Sequence, residues 1–113
     1  MLSGSSHLQF PIGPMPSIKK ASKEILEELI KNIEDLPQQI RDLTDELTSE
    51  ELNWKYRPDG WKLKQVVHHC ADSHMNSYIR FKLALTEDKP NIRPYFEDKW
   101  AELPDSLEND IQD

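Results

Sequence analysis

The aliphatic side chains of Ile25, Leu26, Leu29, Ile30, Ile33, Leu36, Ile40, Leu43 and Leu47 return to one side of the chain every three or four residues. That spacing follows the 3.6-residue turn of an α-helix and not the two-residue alternation of a half-buried strand. Ser22 stands just ahead of the stripe, where its hydroxyl can accept from the first free amides, so a long helix is expected to start there. Pro37 lacks an amide donor and crowds the preceding turn. Because the stripe stays in phase beyond it, one kinked helix is expected in preference to two. Glu24, Glu27, Glu28, Lys31, Glu34 and Asp35 fall between the apolar positions and read as a solvated face. A helix with a single apolar stripe must bury it against other elements, which points to an all-α fold.

The rest of the chain continues this pattern. Residues 1–16 hold three prolines and two of the three glycines, and an irregular N-terminal arm is expected there, with Phe10 and Ile12 as possible tethers. Thr48-Ser-Glu-Glu51 has the spacing of a capping box and opens a short turn carrying Leu52. Trp54, Tyr56 and Trp61 flank Arg57-Pro58-Asp59-Gly60, a turn sequence that should fold the chain back on itself. A second long helix is expected from about Lys62 to Glu87, antiparallel to the first, ending before Asp88-Lys89-Pro90. Tyr95 to Leu103 reads as a short amphipathic helix. Pro104-Asp105-Ser106 is a start signal for another helix that is cut short at Asp113. With 113 residues, the chain suffices for one domain, 1–113.

Composition excludes several classes. The formal charge of −7 removes the basic surface that phosphate binding requires, so nucleic acid is not an expected partner. No apolar run approaches the roughly 18 residues that span a bilayer. The start of the chain lacks a secretory pattern, and a cytoplasmic protein is expected. A lone cysteine agrees with a reducing compartment. Neither a glycine-rich phosphate loop nor a Gly-x-Ser-x-Gly elbow is present.

Chemistry concentrates in residues 61–85, which hold three of the four histidines and the single cysteine. On a helical wheel at about 100° per residue, Leu63, Val66, Val67, Cys70, Tyr78, Phe81 and Leu85 form an apolar face. Gln65, His68, His69, Asp72, Asn76 and Arg80 gather in the neighbouring polar sector. A helix bordering a polar cavity inside a bundle has this form, and so does a partly solvated one. His74 projects onto the apolar face and reads as a hydrogen-bonded core histidine. Cys70 reads as a packed thiol, and His7, in a small polar tract, as solvated.

The segments Phe10-Pro-Ile-Gly13, Tyr56-Arg-Pro-Asp-Gly-Trp61, Gln65-Val-Val-His-His-Cys-Ala-Asp-Ser-His-Met-Asn-Ser-Tyr-Ile-Arg-Phe-Lys82 and Ile92-Arg-Pro-Tyr95 resemble the first half of the DinB-like superfamily, and within it the YfiT type of metal-dependent hydrolase. The resemblance runs over nearly the whole chain. It implies an all-α, up-and-down-type four-helix bundle, usually dimeric. This chain would supply the first two long helices and a short one, stopping before the last two. It also implies a divalent metal, zinc or nickel, held by three histidines. His69 matches the ligand from the second long helix, while the other two come from a His-x-x-x-His pair on the last helix, which this sequence lacks.

Three functions are therefore carried forward. The first is a hydrolase in which the ion activates water. The second is a transferase that uses the ion to activate a low-molecular-weight thiol of the bacillithiol type. The third is a helical interaction module without catalysis. Catalytic residues are not assigned. Asp72 stands four residues from His68 and three from His69, close enough for weak chelation, and a supporting role to a ligand's second nitrogen or a bound water is expected of it. Asn76 and Arg80 could orient a small-molecule substrate, and surface or inter-helix hydrogen bonding explains them equally well. The 113 residues alone are expected to bind metal feebly, to lack activity, and to pair as homodimers through the uncovered stripes.

Overall fold

The computed structural model describes residues 4–112, and among them the ordered elements are helices. The chain divides into two units, Met1–Thr48 and Ser49–Asp113.

The first unit holds helix α1, Gly4–Gln9, and helix α2, Lys23–Thr44. Helix α1 replaces part of the expected irregular arm. All three prolines of the arm lie after Gln9, at 11, 14 and 16, so the segment before them keeps every amide a helix needs. Ile12 is almost fully exposed and tethers nothing. Ser22 caps α2 as its position implied, its Oγ accepting from the Ile25 amide at 3.2 Å. The helix runs unbroken through Pro37 and stops at Thr44, three residues before the stripe does. There the Thr44 hydroxyl turns back to the Ile40 carbonyl at 2.7 Å, and the Asp45 amide closes on Arg41 at 2.9 Å. No residue of α2 is buried. Its outer charges pair locally, Lys31 with Asp35 and Lys23 with Glu27.

The second unit is organised around helix α3, Leu63–Thr86, whose bounds lie within one residue of those expected. A single helical turn at Glu51–Asn53 buries Leu52 ahead of it. The chain then reverses through Arg57–Gly60, where Asp59 takes a left-handed φ of 58° and the Gly60 amide donates to the Arg57 carbonyl at 3.1 Å. Lys55 and Lys62 face each other across an isolated antiparallel bridge, and the Leu63 amide reaches the Trp54 carbonyl at 2.9 Å. Gln65 caps the start of α3 by accepting from the Lys62 amide at 2.9 Å.

After α3 the chain returns along it through helix α4, Glu97–Ala101, and a tight turn at Pro104–Leu107. The second start signal thus yields one turn and not a further helix. Glu108 is already extended, with ψ at 143°. Ser106 is driven into the interior, 1% exposed, and Ala101 is equally buried. Two faces of α3 are treated oppositely. The returning segment covers the polar sector, burying Lys64, Gln65 and Asp72, while Met75, Tyr78, Ile79, Phe81 and Leu85 on the apolar side stay exposed.

Candidate metal-binding face

Helix α3 sets His68, His69, Asp72 and Ser73 within about one turn, because residues three and four apart share a side. The segment 92–109 is fastened over this turn at several points. Gln65 Nε2 donates to the Ala101 carbonyl at 2.7 Å and to Glu102 Oε1 at 3.3 Å. Lys64 Nζ reaches Asn109 Oδ1 at 3.1 Å, and Arg80 donates to the Arg93 carbonyl at 3.3 Å. Tyr95 is hydrogen-bonded to Ser73, its ring braced by Trp100 with centroids 4.7 Å apart.

The two adjacent histidines differ in what occupies them. His68 Nε2 lies 3.3 Å from the Glu108 carbonyl, so that imidazole fastens the returning chain. His69 packs its ring against Trp61, with centroids 4.9 Å apart and planes at 58°. Among the described residues no hydrogen bond reaches its nitrogens. His69 is half-buried, oriented by an aromatic neighbour, and has both nitrogens available.

Asp72 is 9% exposed as a residue, and its carboxylate oxygens, which accept no hydrogen bond among the described residues, are not sealed from solvent. Its main-chain carbonyl takes the Asn76 amide at 2.8 Å. Burial pushes the Asp72 carboxyl up from its ordinary range; Asp105 adds to this, while His69 and His68 pull the other way. The Tyr95 phenol is also raised, first by burial and then by Asp72 and Glu97, against the lowering effects of Ser73 and Arg80. It stays protonated and can donate. Burial raises the Cys70 thiol too, which fits a packed side chain and not a nucleophile.

One expectation changes here. His74 is half-buried, but its Nε2 is shielded from solvent without a hydrogen-bond partner among the described residues, so it is not the satisfied core histidine expected. The side chains of Asn76 and Arg80 donate to main-chain carbonyls, which favours the hydrogen-bonding one of the two readings given for them. The contacts of Tyr95 with Ser73 and of Trp61 with His69 were not anticipated. Both aromatics lie in the quoted segments, but their partners are 22 and 8 positions away, and nothing in local periodicity pairs them.

The donor chemistry suits a borderline divalent ion in part. A free imidazole and a carboxylate stand three residues apart on one helix. Among the described residues no group of three or more His, Cys, Asp or Glu side chains is poised to hold an ion. These residues can form one side of a metal centre and not a complete one.

The comparisons with known proteins bear on the same region. YfiT from Bacillus subtilis, described as a probable metal-dependent hydrolase with an unusual four-helix bundle topology, superposes with a TM-score of 0.87 at 47% identity. The match takes in 93% of this chain and 60% of that one. A protein of Bacillus mycoides (strain KBAB4) that bears the name "Putative metal-dependent hydrolase" is 52% identical over 99 residues, 88% of this chain and 57% of the relative. A protein of Bacillus cereus (strain B4264) with the same description matches to the same extent. The chain thus spans less than two thirds of the length of these relatives. Among the described residues no helix is long and apolar enough to cross a membrane. The model of the DinB superfamily matches residues 20–110, and with that span and these identities the chain belongs to the DinB superfamily.

Proposed function

We propose that this chain is the part of a metal-dependent hydrolase that supplies one imidazole, His69, to a divalent ion, zinc or nickel, held by three histidines. The observation that carries the reading is the state of His69: half-buried on the polar face of α3, set against Trp61, with no hydrogen bond to its nitrogens among the described residues. The names of the relatives support the reaction class. When bound, such an ion acts as a Lewis acid and brings the acidity of a water toward neutrality. The residues of this chain do the rest of their work as a scaffold. Trp61 fixes the imidazole plane, and the Gln65, His68 and Ser73 contacts hold the segment 92–109 as a wall beside it. The Tyr95 phenol stays protonated next to that wall, able to donate to an oxygen of a small-molecule substrate. A free, half-buried thiol at Cys70 suits the cytoplasm.

The test is metal uptake. Because the chain supplies one of the three histidines its nickel uptake is weak, and titration to high nickel concentration should show that weak uptake lost in His69→Ala and kept in His68→Ala. Equal binding by His69→Ala and the unaltered chain would remove the proposal. A thiol-dependent turnover of an electrophilic substrate, absent without thiol, would redirect the reaction class to S-transfer.

The same reading includes pairing of two copies. The exposed aliphatic residues of α2 and the exposed Tyr78, Phe81 and Leu85 of α3 offer apolar surface, worth about 25 cal/mol per Å² when buried. Two copies would bring four long helices together. Sedimentation should show a dimer, and a well-folded monomer at all concentrations would refute the pairing.

A further inference from the structure

We propose that the N-terminal arm, residues 7–20, docks onto the exposed side of segment 96–110 of a second copy of this chain. The contact is separate from the pairing of helix faces proposed above, and it does not depend on the metal reading.

The arm presents apolar side chains to solvent. Every residue from His7 to Lys20 except Gly13 is exposed, and Ile12 and Met15 reach 98% and 92%. Its local shape is nonetheless set. Gly13 takes a left-handed φ of 88°, and its amide donates to the Phe10 carbonyl at 3.0 Å, closing a turn that holds Ile12 outward. A side chain held out by a closed turn gives up little freedom when it docks. Apolar side chains presented together by one short segment mark an interaction site.

Charge indicates what meets them. Lys19 and Lys20 follow the apolar residues, and all 21 acidic residues of the chain lie beyond Lys23. The arm is thus the cationic part of a chain whose formal charge is −7. The complementary surface stands in the second unit. There Ala101 and Ser106 are buried, each 1% exposed, whereas Phe96, Leu103 and Leu107 stay exposed among Glu97, Asp98, Glu102 and Glu108. Segment 96–110 holds six carboxylates and one lysine, and that lysine, Lys99, lies over the Phe96 ring at 4.9 Å from its centroid. Among the described residues no ion pair engages these carboxylates, nor Lys19 or Lys20. Apolar side chains flanked by lysines on one surface therefore match apolar side chains flanked by carboxylates on the other. An anionic lipid surface fits less well. Two lysines fall short of the basic cluster that holds a segment to such lipid, and prolines 11, 14 and 16 deny the arm an amphipathic helix. Each copy would give one arm and receive one, so the contact closes on a pair.

The experiment joins contacting amines and carboxylates with a carbodiimide in an equal mixture of ¹⁴N- and ¹⁵N-labelled chain. Peptides linking Lys19 or Lys20 to Glu97, Asp98, Glu102 or Glu108 are expected in mixed-isotope form. Their absence, or their presence only within single-isotope chains, would overturn the proposal. Sedimentation reads the strength of the contact. Lys19→Glu with Lys20→Glu, and separately Glu97→Lys with Asp98→Lys, should each weaken self-association about tenfold or more, and an equal mixture of the two variants should pair as tightly as the unaltered chain. All four side chains are exposed, so the exchanges leave the fold in place. Unchanged self-association in both variants, or no recovery in their mixture, would overturn the arm contact and leave the pairing of helix faces standing. A well-folded monomer at all concentrations would overturn both. Capture of the unaltered chain by phosphatidylserine vesicles, lost in Lys19→Glu with Lys20→Glu and without mixed-isotope links, would overturn the proposal in favour of a lipid surface.

Discussion

Gln65 holds two parts of the second unit together, and removing it tests the account of how the histidine face is built. The side chain is 5% exposed. Its Oε1 accepts from the Lys62 amide at 2.9 Å, capping α3, while its Nε2 donates to the Ala101 carbonyl at 2.7 Å. A third contact, to Glu102 at 3.3 Å, reaches an exposed carboxylate and counts for less. Each of the first two bonds contributes about 1 kcal/mol net. Truncation also strands the Ala101 carbonyl in the interior, for about 1 to 2 kcal/mol more. Gln65→Ala should therefore cost about 3 kcal/mol, a large share of what a domain of this size has to lose. Gln65→Met keeps the length and the packing but none of the hydrogen bonds, so it should recover less than half of that loss. Denaturant titration measures both variants. Amide hydrogen exchange adds the location: protection should fall across 97–107 and the first turn of α3 and hold in its C-terminal turns. Full rescue by Gln65→Met, or a loss below about 1 kcal/mol for Gln65→Ala, would show that packing and not this polar clamp fastens the returning chain.

Two further predictions follow from single positions. A Cβ at Gly60 would lie 2.6 Å from Arg57 Cγ and 3.1 Å from the Arg57 carbonyl oxygen; Gly60→Ala should thus cost about 1 to 3 kcal/mol, read as a lowered Tm, and an unchanged Tm would mean that the reversal yields freely. Asp72 binds its proton more readily in the folded chain than in the unfolded one, so its contribution favours folding at acid pH and is lost as pH rises from about 3.8 through the raised folded value. Asp72→Asn should accordingly leave the Tm unchanged below that window and raise it above, with the difference constant once the carboxyl is fully ionised; a variant less stable at neutral pH without metal would contradict the unpaired state of the carboxylate.

The helices were legible because their signals are local. The Ser22 cap, the stripe of α2 and the start of α3 near Lys62 all follow from neighbours a few positions apart, and the structure places them within a few residues of expectation. Where the signal depended on contacts far along the chain, the reading stopped short. Pro104-Asp105-Ser106 resembles a helix start, but burial of Ser106 against the rest of the unit limits it to one turn. The wheel separated the polar and apolar sectors of α3 correctly, and it could not say which would be covered. That was decided by Gln65, Lys64 and His68 finding carbonyl and amide partners 36 to 45 positions away.

The covering of the polar sector changes what His69 can do. In the folded unit the ring is half-buried and set against Trp61, so less of its freedom remains to be lost when it meets an ion. The clamp at Gln65 and the pull on a cation are two ends of one arrangement. Loosening the clamp should weaken zinc binding at His69 even though Gln65 offers the ion nothing, and the Gln65→Ala chain titrated with zinc beside His69→Ala tests that coupling. Undiminished affinity in Gln65→Ala would mean that burial plays no part in binding.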